Sequence, residues 1–379
     1  MMNRFKNVLL TCFVLAIFYV LSYMVYAHFQ INALKLPLTP KSCSSPEKVS
    51  DSKDVVRVLL VSGGGVSGII PLVYLDYIEE QTHRHASELF DVFAGVSTGG
   101  IIVGGLNAPD ADGHPRYWAK EVLDNYMSIS SQVMQRSLIR QFFTMNGLWG
   151  PPLDIRNLNQ ILRQTLGLQL TLKNLIKPSI FAYFNMSSTQ LEFVHSKGCS
   201  ENQDFGDFPV ADFLTATCAA PAIFSAVAFE DLETHQNQYF IDAALFTNNP
   251  FPYVFAKIIK QYPFARKFIF VYLDTGDFHL QSLDLNLKDF SRWGSIEWVS
   301  SLIKILMKAH TKLIHQDITS LSLFLPVERF SYYYFSTHNS WNGFDASQEN
   351  LKNLLKSAQE SIKPQKPEFE KMIKELTID

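Results

Sequence analysis

Gly95-Val96-Ser97-Thr98-Gly99 sets a serine between two glycines. A tight strand-to-helix turn needs that spacing if it is to expose a hydroxyl without clashes. Ser97 is therefore the candidate nucleophile. A helix N-terminus directly after it would also favour developing negative charge. Upstream, Ser62-Gly63-Gly64-Gly65-Val66-Ser67-Gly68 supports two chemistries. Gly63, Gly65 and Gly68 fit the G-x-G-x-x-G dinucleotide pattern, but the acidic residue that should end the following strand is missing: Glu88 has the distance and precedes the strand. Consecutive glycines can instead turn backbone N–H groups toward a tetrahedral oxyanion, and with Ser97 on the next turn this reading is favoured. The hydroxyl then needs a base. Asp242 follows Tyr239-Phe240-Ile241 and precedes Ala243-Ala244, then Thr247-Asn248-Asn249-Pro250. On position alone an Asp entering a turn reads first as a backbone cap. His279, His310, His315 and His338 are also available, none within a motif.

These residues require particular elements around them. Val55 to Val61 is a short β-branched run entering the glycine loop, and Ile70, Val73, Tyr74, Tyr77 and Ile78 follow with helical spacing. Leu89 to Ala94 repeats the unit, entering Gly95 and a glycine-rich helical stretch through Leu106. Later strand-like runs, Ser179 to Phe184, Tyr239 to Ile241 and Phe268 to Leu273, are separated by helical patterns. The expected fold class is α/β, a mixed or mostly parallel sheet flanked by helices. Phe330 to Phe335 reads as a further strand, and Ala346 to Leu355 as a helix broken by Pro364 and Pro367 ahead of a charged final helix.

The 379 residues carry 47% hydrophobic and only 18% charged side chains with net charge -3, which excludes a disordered chain and gives no field for nucleic acid. Cys12, Cys43, Cys199 and Cys218 show no C-x-x-C spacing, so neither a zinc site nor a disulfide framework is expected, and Cys218 reads as core. No H-E-x-x-H, EF-hand or Walker pattern occurs, so no metal and no cofactor is expected. Arg4 and Lys6 precede an uncharged run from Val8 to Ala27. Twenty residues at helical rise span roughly 30 Å, a membrane length. Residues 1–30 are expected to be an N-terminal membrane anchor or signal, with a single-pass topology that exports the rest of the chain; secretion after cleavage at Val25-Tyr26-Ala27 is the alternative. Residues 31–54, with Leu36-Pro37-Leu38-Thr39-Pro40 and Ser42-Cys43-Ser44-Ser45-Pro46, show no apolar period and read as a linker. Trp298 to Leu313 puts Lys304, Lys308 and Lys312 on one stripe, which fits an interfacial helix or, more simply, a docked helix with its lysines in solvent.

Together the glycine loop, the Ser97 pentapeptide and the late Asp242 resemble the patatin-like phospholipases, whose pattern is D-G-G-G-x-[RK]-G, then G-x-S-x-G, then D-G-[GA]. Trp149-Gly150-Pro151-Pro152, the segment Ala216 to Phe224, Asn248-Asn249-Pro250 and Leu273-Asp274-Thr275-Gly276 look like the same family. The resemblance runs from Val55 to at least Gly276. It implies a three-layer sandwich over residues 55–379, with the motifs in 55–276 and covering helices in 280–379. It also implies a Ser97–Asp242 dyad without histidine, an oxyanion hole at Gly63, Gly64 and Gly65, and supporting roles for Gly68, Gly95 and Gly99. The implied activity is lipid acyl hydrolysis through an acyl-enzyme, with a phospholipid or other acyl-ester lipid as substrate and a membrane as partner. Three positions depart from the pattern: Ser62 replaces the first Asp, Ser67 the Arg or Lys, and Ala243 the glycine after the dyad Asp. Ala243 requires that turn to accept a Cβ, and failure there implies an inactive lipid-binding protein on the same fold. Acyl transfer to another lipid is a further alternative.

Overall fold

The computed structural model describes residues 2–27, 33–38, 41–42, 53–197, 203–232, 234–276, 309–321, 326, 328–337 and 343–378, with backbone alone at 2–7, 9–10, 41–42 and 203. The first half of the chain forms α1 (Met2–Tyr26), β1 (Leu34–Leu38), β2 (Lys41–Ser42), β3 (Val55–Val61), α2 (Ile69–Thr82), α3 (Ala86–Leu89), β4 (Val92–Val96), α4 (Thr98–Leu106), α5 (Ala119–Val133), α6 (Leu138–Phe143) and α7 (Ile155–Leu166). Then come β5 (Ser179–Asn185), β6 (Gln190–His195), β7 (Gln203–Asp204), α8 (Val210–Thr217), β8 (Val227–Asp231), β9 (Asn237–Asp242), α9 (Phe251–Gln261), β10 (Lys267–Leu273), α10 (309–321), β11 (Phe330–Phe335) and α11 (Gln348–Thr377).

One sheet carries the order β1-β8-β9-β5-β4-β3-β10-β11, with β6 also paired to β5. From β5 through β4, β3 and β10 to β11 every pairing is parallel, whereas β9 runs antiparallel to both β5 and β8. The sheet is thus mixed, as an α/β reading allows. Along β3 the side chains alternate between two cores. Val56, Val58 and Leu60 join Val254 and Ile258 of α9 and Ile314 and Ile318 of α10. Leu59 and Val61 join residues of α2, α5, α7, α8 and α11 on the other face. A strand buried on both faces reads as a nearly continuous apolar run, which Val55 to Val61 is apart from Arg57.

Two expectations fail for identifiable reasons. Residues 31–54 are not wholly a linker, because Leu34–Leu38 forms the edge strand β1, parallel to β8, and buries Leu36 and Leu38. Its leucines keep a period of two across Pro37, a residue that an edge strand tolerates because one side of its backbone needs no partner. Pro364 and Pro367 do not break the final helix, and α11 runs through both. A proline inside a helix costs about 3 kcal/mol, but here Leu351, Leu354, Ala358, Phe369, Met372 and Leu376 bury one continuous face. The Gln365 side chain donates to the carbonyls of Ser361 and Ser336, tying the weakened turn to the end of β11.

At the N-terminus α1 is a 25-residue helix. Among the described residues no helix is long and apolar enough to cross a membrane. In α1 the unbroken stretch of described side chains is 11–27, and the expected span from Val8 reaches past it at Leu9 and Leu10, whose side chains lie outside the described residues. Of the lysine stripe expected over Trp298 to Leu313, Lys304 and Lys308 also lie outside them, as do His279 and His338.

Phe369 stacks on Phe335 at 3.9 Å and meets Tyr74 and Tyr77 edge-on, joining α11, β11 and α2. Phe369→Ala is expected to cost about 3–5 kcal/mol. Guanidinium unfolding would report this as a lower midpoint at unchanged slope, and a midpoint within error of wild type would contradict this account of why α11 ignores its prolines.

Candidate active site

Strand β5 acts as a ruler. Its first half pairs with β4, ending at Val96 opposite Ala182, and its second half pairs on the same edge with β9, ending at Asp242 opposite Tyr183. The C-terminal ends of β4 and β9 therefore meet at adjacent rungs. Ser97, one residue past β4, and Asp242, the last residue of β9, are brought together from 145 positions apart in the chain. Their side chains lie close enough for the Ser97 hydroxyl to lower the Asp242 pKa.

Ser97 takes φ 53 and ψ −125, a sparsely populated conformation for a residue with a Cβ. The turn closes because both flanking positions lack side chains. A Cβ on Gly99 would overlap the Val61 carbonyl oxygen, and one on Gly95 would overlap the Gly99 backbone. Gly68 is tight for a different reason, lying against Tyr126 and Thr98.

Asp242 is 2% exposed. Its amide donates to the Ala219 carbonyl at 3.1 Å, and its Oδ1 accepts from the Ala244 amide at 2.8 Å. It is thus the backbone cap that position alone suggested and also the partner of Ser97. Burial pushes its carboxyl up from 3.8 to about 6, while the bonds from Ser97 and Ala244 pull the other way. Burial and the nearby Asp242 charge likewise push the Cys218 thiol up. Cys218 is buried in the core as expected, and it lies near enough to Ser97 for that hydroxyl to lower its pKa. Of the histidines, His310 and His315 sit on α10, with His315 4.1 Å from the ring of Tyr334. Asp242 feels neither of them.

The glycine loop is held from several sides. Asn248 clamps Gly63, its Oδ1 accepting the Gly63 amide at 2.8 Å and its Nδ2 donating to the Gly63 carbonyl at 3.1 Å. Thr275 Oγ1 donates to the same carbonyl at 2.7 Å. Tyr126 donates to the Gly65 carbonyl at 2.6 Å, and the Val66 amide donates to Gly343 at 2.8 Å. The Gly63 N–H is therefore committed and cannot also face an oxyanion, which corrects the sequence expectation at that residue. Among the described residues the amides of Gly64 and Gly65 donate to no protein group. Gly65 has φ 56, a left-handed conformation suited to glycine.

The three departures are each accommodated. Ser62 Oγ donates to Asp274 at 2.9 Å and accepts the Thr275 amide at 2.9 Å, joining the ends of β3 and β10. Ser67 is buried beside the turn at Gly343. Ala243 begins a 3-10 turn and does not take a positive φ, so its Cβ is free to enter the core. Sequence reasoning missed Asn248 and Tyr126. Asn248 stands inside a segment legible as a turn, and no local signal marks Tyr126. The one cluster of metal-ligating groups among the described residues, Asp110, Asp112 and His114, is exposed. Asp110 Oδ1 there accepts the amides of Asp112 and His114, both at 2.9 Å, as an ordinary turn does.

A family model described as patatin-like phospholipase matches residues 59–255. The chain is 28% identical over 355 residues to Patatin-like protein 2 of Oryza sativa subsp. indica, covering 83% of this chain and 84% of that protein. It is 27% identical over 300 residues to Patatin-like protein 2 of Arabidopsis thaliana, covering 72% and 70%. It is also 28% identical over 208 residues to the Arabidopsis thaliana Probable inactive patatin-like protein 9, covering 53% of each. The matched region holds the glycine loop, the Ser97 turn, Asp242 and the Asn248 clamp. With more than half of its length matched, the chain belongs to the patatin-like phospholipase family.

Proposed function

We propose that this protein is a lipid acyl hydrolase of the phospholipase A or lysophospholipase type, cleaving acyl esters through a Ser97–Asp242 dyad. The observation that carries the reading is a serine in a sparsely populated backbone conformation brought beside a buried carboxylate whose pKa is raised to about 6. An ordinary aspartate is too weak a base at neutral pH, and desolvation corrects that while leaving the group ionised at pH 7. Asp242 takes the Ser97 proton as Oγ attacks the ester carbonyl, and the proton then passes to the leaving alcohol. The free amides of Gly64 and Gly65 support an oxyanion site, with Gly63 serving as its clamped hinge. Water, activated by the same carboxylate, then cleaves the acyl-enzyme.

The inactive alternative rests on Ala243 and Ser67, and the accommodated Cβ of Ala243 removes its main motive. Acyl transfer to an alcohol of a second lipid would use the same acyl-enzyme. Membrane attachment through α1, with the body outside the cytosol, belongs to this proposal and rests on the uncharged run from Val8 to Ala27.

Ser97→Ala and Asp242→Asn, assayed on phospholipid and short-chain esters, are each expected to lower kcat by about 10³-fold or more. Turnover persisting in either folded variant would rule out the dyad. In wild type, log kcat/KM should climb with unit slope up to pH near 6 and level off above, because only the ionised carboxylate accepts the proton.

The same carboxylate sets a stability relation of definite sign. Its folded pKa lies above its unfolded value, so stability is lost as pH rises through 3.8 toward 6 and the loss persists above. That displacement corresponds to at most about 3 kcal/mol. Asp242→Asn should therefore raise the melting temperature at pH 8 and leave it nearly unchanged at pH 4, where Asp242 is neutral in the folded state and close to half-neutral in the unfolded one. Equal melting shifts at the two pH values would show that Asp242 is not held in a desolvating site.

Asn248→Ala is expected to lower kcat about 10–100-fold with little change in KM for a short-chain ester, because it frees the oxyanion loop without touching the ester. An Asn248→Ala enzyme with wild-type kcat would remove the clamp from the mechanism.

A further inference from the structure

Between Asp124 and Asp154 the chain carries no acidic residue, and Arg136 and Arg140 are its only charged side chains there. The central part of this stretch, α6 and the turn after it, exposes an unusual set of large apolar groups: Leu138, Ile139, Phe142, Leu148 and Trp149 are each at least 60% exposed. Met145, Asn146 and Gly147 all take positive φ (47, 57 and 99), a backbone that two of the three residues do not favour. The strained turn ends by presenting Leu148 and Trp149 outward rather than into the core.

This knob is not isolated. Tyr19 of α1 donates to the Phe143 carbonyl at 3.0 Å and meets the Phe142 ring edge-on, Tyr23 donates to the Trp149 carbonyl at 2.6 Å, and Tyr26 stacks on Phe143 at 4.5 Å. Spaced i, i+4 and i+7, the three tyrosines make one stripe of α1. Around the rest of that helix Phe13, Val14, Leu15, Phe18, Leu21 and Val25 are exposed. A protein partner is met by an apolar stripe, whereas a helix that is apolar nearly all round and packed along one stripe only suits a lipid environment. Tyrosine also suits the level of the headgroups, which is where Tyr26 stands at the end of the uncharged run.

We infer that the knob formed by Leu138, Ile139, Phe142, Leu148 and Trp149 enters the bilayer beside α1 and docks the active-site rim on its surface. The inference rests on reading the chain as a membrane-bound lipid acyl hydrolase. Tyr19 and Tyr26 are about 10 Å apart along α1, and both reach the Phe142–Phe143 pair, whose ring centroids are 5.3 Å apart. Arg136 at the start of the knob and the lack of carboxylates suit an anionic lipid surface. The knob is also joined to the site. Arg140 donates to the carbonyls of Pro151 and Leu153, each at 3.1 Å, and pairs with Asp154 at 3.0 Å. The Leu153 amide donates to Ile223, in the loop that follows Cys218 and Ala219, and Ala219 in turn holds the Asp242 amide.

The test uses the full chain in phosphatidylcholine–phosphatidylglycerol vesicles, on a Cys43→Ser, Cys199→Ser background. An environment-sensitive dye on native Cys12 reads α1, and the same dye on Leu148→Cys, with Cys12→Ser, reads the knob. Both are expected to be quenched by a lipid-borne quencher. Separately, Ile139→Glu, Phe142→Glu and Leu148→Glu combined should lower hydrolysis of vesicle phospholipid at least tenfold and leave a soluble short-chain ester unaffected. A quenched Cys12 dye beside an unquenched Leu148→Cys dye overturns the inference and leaves the membrane reading intact. Two unquenched dyes overturn both. A blue-shifted knob dye that the quencher does not reach means that a second copy or another protein covers the patch, which also overturns it, as does a triple variant that hydrolyses vesicles at the wild-type rate.

Discussion

The site depends on a register. Along one edge of β5 the parallel partner β4 stops and the antiparallel partner β9 begins, and the two strand ends fall at Ala182 and Tyr183. A slip of one residue in either pairing would turn the affected side chains to the other face of the sheet. Asp242 would then leave Ser97 altogether. Packing volume reinforces the ladder in holding the register: Tyr183 packs on Phe240 at 4.4 Å, Phe240 on Phe229 at 4.7 Å, and Val96 and Ala182 are buried between the layers. Aromatic rings of that size admit few alternative alignments, and so the apolar core sets the catalytic distance.

The burial that fixes the distance also tunes the chemistry. Asp242 has no opposite charge beside it, and desolvation is the leading influence on its carboxyl. In the proposed dyad no histidine stands between Ser97 and Asp242, and desolvation would itself make the carboxylate a better base. In the glycine loop the amides of Gly64 and Gly65 are left free while Asn248, Thr275 and Tyr126 take up the other polar groups around them. On the proposed reading, the polar groups of Gly63 and the Gly65 carbonyl are satisfied within the protein while the Gly64 and Gly65 amides are left for a substrate oxygen.

The range of each interaction decides whether the sequence shows it. The Ser97 turn is written locally, since Gly95 and Gly99 are required by contacts within one strand-turn-helix unit and the strand before it. The strands β3, β4, β5, β10 and β11 are legible because burial on both faces leaves continuous apolar runs. Asn248 is not legible, because its clamp on Gly63 spans 185 residues and the local pattern Asn-Asn-Pro already has a sufficient explanation as a turn. Pro37 hides β1, and Pro364 and Pro367 hide the continuity of α11. In both cases a rule about isolated backbone is overridden by packing that only the assembled sheet supplies. The commitment of the Gly63 amide belongs to the same class: three consecutive glycines look equivalent until a distant side chain distinguishes one of them.

The edge strand also changes how the N-terminal helix relates to the body. A linker of about 24 residues would let a catalytic domain wander far from its attachment. With β1 beginning at Leu34, only seven peptide steps separate Ala27 from the sheet, a reach of at most about 25 Å. Tyr19, Tyr23 and Tyr26 then hold α1 against α6 and the turn after it, so the body has both a short connection and a second contact. Two attachments of this kind fix an orientation where one would fix only a distance. On the membrane reading, the side of the protein that carries the α6 knob and the loop from Cys218 to Phe224 faces the bilayer continuously, and substrate reaches Ser97 without the enzyme having to find the surface again.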